Sequence, residues 1–231
     1  MTGSDGGQDA LRDRRHLLTR RRQKRRARLI TLTVLAVLAV VASGVLIAVG
    51  VSGLEQPHDL RGKSVAISNE IPSGNTIARM HVVADLGERF IVPSVGLNVP
   101  LGALDEADGT ITPPGFTSAY VVRNLGATLQ RADRGTVFVA MHSVRGGGVG
   151  PGNYLINVAS GRPSVSAGDT IRVGPRTYRV ISWRNESKQQ VPYDVALWAN
   201  TPGRLVVLTC LQNPSQTEST ENVIITAELQ K

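Results

Sequence analysis

The sequence predicts a mostly β domain, a barrel or a sandwich, standing behind one membrane-spanning helix. Three observations carry this expectation. From about Leu86 onward the chain breaks into short runs rich in Val, Ile and Thr, such as "GTVFVAMHS", "DTIRVG", "TYRVISW", "GRLVVLTC" and "NVIITAEL". Turn-forming clusters, among them "DEADG", "GRPSVSAGD", "GPRT" and "ANTPG", separate these runs. One long uncharged stretch lies near the start.

Taken in chain order, residues 1–28 form a basic cytoplasmic tail. Of the formal net charge of +8, this tail holds ten Lys/Arg against Asp5, Asp9 and Asp13, or +7; the other residues carry sixteen basic and fifteen acidic groups, or +1. The overall charge is therefore the charge of a tail. Beside an apolar span, a basic run sets orientation and meets anionic lipid head groups, so no nucleic-acid partner is expected.

Residues 29–51, "LITLTVLAVLAVVASGVLIAVGV", contain no charge. As a helix they extend about 35 Å, enough for a hydrocarbon core of roughly 30 Å. A cleavable signal peptide has an apolar core of only about 7–15 residues, and this run continues past Ala42 and Gly44. An uncleaved anchor in membrane lipid follows, with the rest of the chain outside the cell. Residues 52–85 mix Gly, Pro, Ser and charges and read as an extracellular linker with one helical turn or a short strand.

Residues 86–231 have the size of one domain. About eight strand-like runs dominate it. Short helical pieces are expected at "LGATLQRAD", where Leu125, Leu129 and Ala132 share a helical spacing, and at "YDVALWAN". The single Cys excludes an intrachain disulfide and a Cys-based zinc site. His16, His58, His81 and His142 do not fall at metal-ligand spacing. No metal or cofactor is expected.

Two strand-like runs end in reactive side chains, "TVFVAMHS" in His142 and "RLVVLTC" in Cys210. Strand ends that face loops are where a rigid scaffold presents side chains to a ligand. A thiol becomes a strong nucleophile only as thiolate, and a neighbouring imidazole can take its proton. A Cys/His pair is thus the minimum for acyl transfer, although a lone Cys also serves as a small buried hydrophobe.

Four segments resemble the sortases, membrane-anchored cysteine transpeptidases of Gram-positive bacteria, in family order. They are "FIVPSVGLNVPLGALDEADGTITPP", "GTVFVAMHS", "GNYLINVASGRPSVSAGDTIRV" and "RLVVLTCLQN", spread over residues 88–231. The short actinobacterial types, classes E and F, are the most similar. The resemblance implies an eight-stranded β-barrel with Cys210 and His142 at the ends of neighbouring strands. It also implies cleavage of an LPXTG-like sorting signal on a secreted protein, a thioester on Cys210, and release by an amine of a peptidoglycan precursor or a pilin. No cofactor is implied.

The chain departs from that family at one point. Sortases carry an Arg on the strand after the Cys loop, whereas here no Arg follows Cys210 and the only Lys is Lys231. The Arg position aligns with Thr220, Glu221 or Asn222, and the "TENV" spacing favours Thr220. Three readings remain open. Thr220 or Asn222 is a neutral donor in the Arg's place; Arg145 or Arg184 reaches in from another loop; or the domain is a sortase-fold peptide-binding or scaffold protein with weak or no turnover. Pro113 and Pro114 read as a turn, the "RGGG" after His142 as a mobile loop, and Trp183 and Trp198 as packing residues, either of which could line a peptide groove.

Overall fold

Alternation along the strands builds a wall with two different faces. The computed structural model describes residues 57–65 and 74–231. The tail at 1–28 and the expected span at 29–51 lie outside the described residues. Among the described residues no helix is long and apolar enough to cross a membrane. A short helix, α1 (Gly74–Arg79), precedes ten strands: β1 (Val83–Val92), β2 (Leu97–Leu104), β3 (Ala119–Val122), β4 (Val137–Ala140), β5 (Ile156–Asn157), β6 (Arg162–Pro163), β7 (Thr170–Val173), β8 (Arg176–Ser187), β9 (Arg204–Leu211) and β10 (Glu221–Leu229).

Eight of these strands close into a barrel in the order β1-β2-β3-β4-β9-β10-β8-β7, and β5 and β6 form a separate two-stranded sheet. Closure is made where Phe90 of β1 pairs with Val173 of β7. The barrel reading therefore holds over the sandwich. Neighbours are antiparallel except β2 with β3 and β4 with β9, which are parallel.

The period-2 pattern sorts side chains into two cores. Phe90, Val137, Val139, Leu205, Val207, Val223 and Ile225 fill the barrel interior. The residues between them, Phe138, Val206, Leu208 and Ile224, point outward into a second cluster. Val191, Leu197 and Met80 cover that outer face, and Trp198 packs against it. This is why "RLVVLTC" reads as one apolar run rather than an alternation: both faces of β9 are covered. By contrast, β8 alternates between buried and exposed residues along much of its length.

Helix is scarce, as the sequence implies. "YDVALWAN" yields α2 (Val195–Trp198), capped by Asp194, whose carboxylate accepts from the Leu197 amide at 2.9 Å. "LGATLQRAD" yields a 3-10 turn only from Leu129 to Arg134. Helix cannot begin at Leu125 because Gly126 has φ +68°, and a Cβ there would lie 2.2 Å from the Thr136 carbonyl. Strand β3 has no counterpart among the runs singled out from the sequence. It is four residues long and buried throughout, so it shows neither length nor alternation.

Inside the barrel, Tyr178 is fully buried, and its hydroxyl has no hydrogen-bond partner among the described residues. Burial pushes this phenol up to about 12, against the opposing charge of Arg176. An unsatisfied buried hydroxyl costs about 1–3 kcal/mol of desolvation. Tyr178→Phe keeps the ring and removes that cost. Its urea midpoint is expected to equal or exceed wild type; a marked drop would mean that the hydroxyl has a partner.

Candidate active site

The two reactive residues meet because of strand register. β4 and β9 run parallel with Val139 opposite Val207 and Ala140 opposite Leu208. Past the end of β4 the ladder continues, since the Met141 amide donates to the Leu208 carbonyl at 3.1 Å. Two residues further on, His142 falls beside Cys210. Both belong to the outward set that includes Phe138 and Ala140 on one strand and Val206 and Leu208 on the other. On the far side of β9, Asn222 of β10 is the register partner of Cys210. His142, Cys210 and Asn222 therefore form a row across three adjacent strands, which are spaced about 4.8 Å apart.

That row opens into a cavity of about 740 Å³ on the outer face of the barrel. Ile111, Leu125, Val191 and Trp198 supply apolar walls, and His142, Cys210 and Asn222 lie at its base together with Thr209. Among the described residues lining it, Lys188 is the one lysine or arginine and Glu106 the one carboxylate. Lys188 follows β8, and its amide donates to the Thr220 carbonyl at 2.9 Å, so the wall is tied to the entry of β10. Trp198 is fixed by its indole N–H, which donates to the Val191 carbonyl at 2.7 Å, and by Phe138 at 5.4 Å between ring centroids.

A buried polar clasp lies behind the row. The Ser143 hydroxyl donates to the Cys210 carbonyl at 2.6 Å. The Gln212 amide donates to the Ser143 hydroxyl at 2.8 Å and to its carbonyl at 3.0 Å. Ser143 and Gln212 are both buried, so the two strand ends are joined where water does not compete.

Glycine makes the next layer possible. The Gly152 amide donates to the His142 carbonyl at 2.9 Å. A Cβ on Gly152 would lie 1.9 Å from the Thr209 hydroxyl and 3.0 Å from the His142 carbonyl. The loop expected to be mobile is held at several points. Asn153 accepts from the Val144 and Gly150 amides at 2.7 and 2.8 Å, and the Gln216 side chain accepts from the Gly146 amide at 2.6 Å.

His142 is 5% exposed. Its Nε2 lies 2.8 Å from the Pro113 carbonyl, and the Phe116 ring sits 4.9 Å away, tilted by 40°. Phe116 in turn packs with Val65 and Val144, which brings part of the expected linker against the site. Asp59 anchors that part. Its carboxylate accepts from the Arg61 and Lys63 amides and, across the chain, from the Val149 amide, each at 2.8 Å.

The other residues singled out from the sequence lie elsewhere. Thr220 is exposed and precedes β10; it does not line the cavity. Neither Arg145 nor Arg184 lines it. Arg184 is paired with Glu186 at 3.2 Å and with Asp194. Trp183 packs against the barrel interior with Arg162 over its ring at 5.5 Å, so Trp198 is the tryptophan on the cavity wall. Lys188, Glu106, Ser143, Gln212 and the Pro113 carbonyl were not picked out from the sequence for this site. Only the Pro-Pro pair left a visible signal there.

No family model matches the chain, and no curated protein does. Solved structures do, and those named here are sortases. Sortase A of Listeria monocytogenes is 22% identical with a TM-score of 0.43, over 62% of this chain and 86% of that one. Sortase C1 of Streptococcus agalactiae is 13% identical with a TM-score of 0.45, over 62% and 67%. A sortase D5 transpeptidase of Clostridium perfringens is 12% identical with a TM-score of 0.42, over 62% and 78%. These are likenesses of fold alone.

The Asp59 anchor carries a pH dependence. Burial pushes its carboxyl up, but the amides of Val149, Lys63 and Arg61, helped by the Arg61 charge, outweigh this and hold it below its ordinary 3.8. A depressed folded pKa contributes stability that is present above the unfolded value and lost as pH falls through the folded one. Asp59→Asn turns an amide donor toward the Val149 N–H. The variant is expected to unfold at lower urea than wild type at pH 7, with the gap closing below about pH 4. A gap unchanged by pH would show that the charge is not what holds the anchor.

Proposed function

We propose that the protein is an extracellular cysteine transpeptidase of the sortase type, anchored through residues 29–51 with its N-terminus in the cytoplasm. Cys210 attacks the carbonyl of an LPXTG-like sorting signal near the C-terminus of a secreted protein and holds the acyl group as a thioester. His142 takes the thiol proton and returns it to the departing amine. An amine of a peptidoglycan precursor or a pilin then attacks the thioester and leaves with a new amide bond. One observation carries the reading: His142, two residues past the end of β4, and the chain's only thiol, on the parallel strand β9, line one cavity.

The role that the family gives to Arg is divided here between two groups. Asn222, opposite Cys210, is a neutral donor to the oxyanion that forms on the attacked carbonyl. Lys188 brings the positive charge from the cavity wall. Preorganised donors at a developing oxyanion are worth about 10²–10³ in rate each. The second reading, a peptide-binding or scaffold protein with weak or no turnover, is favoured by one fact: no Arg is among the described residues lining the cavity.

Incubation of the full chain with a sorting-signal peptide and hydroxylamine separates the two. Wild type is expected to release hydroxamate and to show a peptide adduct on Cys210 by mass spectrometry, while Cys210→Ala shows neither. Equal product from both would end the enzyme reading. Lys188→Gln is expected to lower kcat/KM by about 10²-fold; an unchanged value would remove Lys188 from the chemistry.

A further inference from the structure

We infer that the Pro113 carbonyl is the group that orients His142, and that the ring exchanges its catalytic proton through Nδ1, with Nε2–H held in place throughout. The inference rests on the transpeptidase reading for its purpose but not for its geometry. A carbonyl oxygen only accepts hydrogen bonds. At 2.8 Å from the Pro113 oxygen, Nε2 must therefore be the donor. A neutral ring that carries its proton on Nε2 has its lone pair on Nδ1. The tautomer is set by the bond that the other nitrogen makes.

The acceptor is built to be stiff. Pro113 has its φ fixed near −65° by its own ring, and Pro114 restricts Pro113 to extended ψ. The direction of the Pro113 carbonyl is thus set by covalent geometry in "ITPPG". Phe116, just beyond the pair, packs on the imidazole itself. His142 is almost fully buried, so water does not compete for Nε2–H. A base oriented by a third group is the general requirement for activating a nucleophile; here the third group is a backbone oxygen.

The proton steps balance without touching Nε2–H. The S–H bond of Cys210 breaks as an N–H bond forms at Nδ1, giving thiolate and imidazolium. Thiolate adds to the peptide carbonyl, and collapse of the adduct breaks the C–N bond as Nδ1 gives its proton to the leaving amine. The incoming amine returns a proton to Nδ1 as the thioester is broken. Pro113 is a positioning residue, since it acts only through His142.

The test uses the full chain in detergent, labelled with ¹⁵N-histidine and compared with His142→Gln to assign the ring. Where the ring is neutral, His142 is expected to show a protonated-type Nε2 and an unprotonated-type Nδ1, with an Nε2–H proton exchanging far more slowly than those of exposed histidines. An Nδ1–H tautomer, or an Nε2–H exchanging at the exposed rate, overturns the inference. The second measurement is alkylation of Cys210 by iodoacetamide at neutral pH, which needs no peptide substrate. Pro114→Gly frees the Pro113 carbonyl and is expected to slow alkylation several-fold, toward the His142→Gln rate. A Pro114→Gly protein that loses the slow Nε2–H yet alkylates at the wild-type rate also overturns it. Either result is independent of peptide turnover, so failure of the transpeptidase reading is seen separately.

Discussion

The parallel pairing of β4 with β9 is the constraint on which the site depends. In a strand, successive side chains point to opposite faces, so a slip of one residue would turn either His142 or Cys210 into the barrel. The register is held from both faces. Val137 and Val139 pack inward with Leu205 and Val207, while Phe138 packs outward with Val206 and Leu208. Where the ladder ends, the Ser143–Gln212 clasp and the close approach of Gly152 take over. The strands that carry the two reactive residues are therefore held in register by packing on both faces and by the hydrogen bonds at their ends.

The covering layer matters as much as the barrel. Had the outer face of β4, β9 and β10 been left to solvent, the row of His142, Cys210 and Asn222 would lie on an open wall. Instead the Val191–Trp198 segment and the turn around Glu106–Thr110 partly enclose a cavity with apolar sides. Inside such walls a hydrogen bond or a charge acts in a lower effective dielectric than water and is correspondingly stronger. The position of Lys188 gains its meaning from that enclosure.

Most of the fold was legible because the barrel strands are apolar runs bounded by turn residues, and β8 even shows the alternation of a half-exposed strand. His142 and Cys210 were legible because each closes such a run. Register was not. The ten residues between Cys210 and Glu221 leave Thr220, Glu221 and Asn222 open, with the "TENV" spacing favouring Thr220, and only the pairing of β10 with β9 puts Asn222 opposite the thiol. Lys188 had no local signal, since it sits in a turn after β8 and reaches the site through the fold. Glycine carries two meanings that the sequence does not separate: in the "RGGG" stretch Gly146 and Gly147 take positive φ, whereas Gly152 marks a place where two backbones touch. A carbonyl acceptor such as that of Pro113 has no side-chain signature, although the paired prolines that aim it are plain in the sequence.

Closure of the ring has a consequence for recognition. Every barrel strand is bonded to a neighbour on each side over at least part of its length, so a guest on the face of that wall meets side chains before backbone. A guest on the outer wall must be read by side chains and loops. Its selectivity is then set by the shape and polarity of the residues around it, which can drift in evolution while the ring that supports them stays the same.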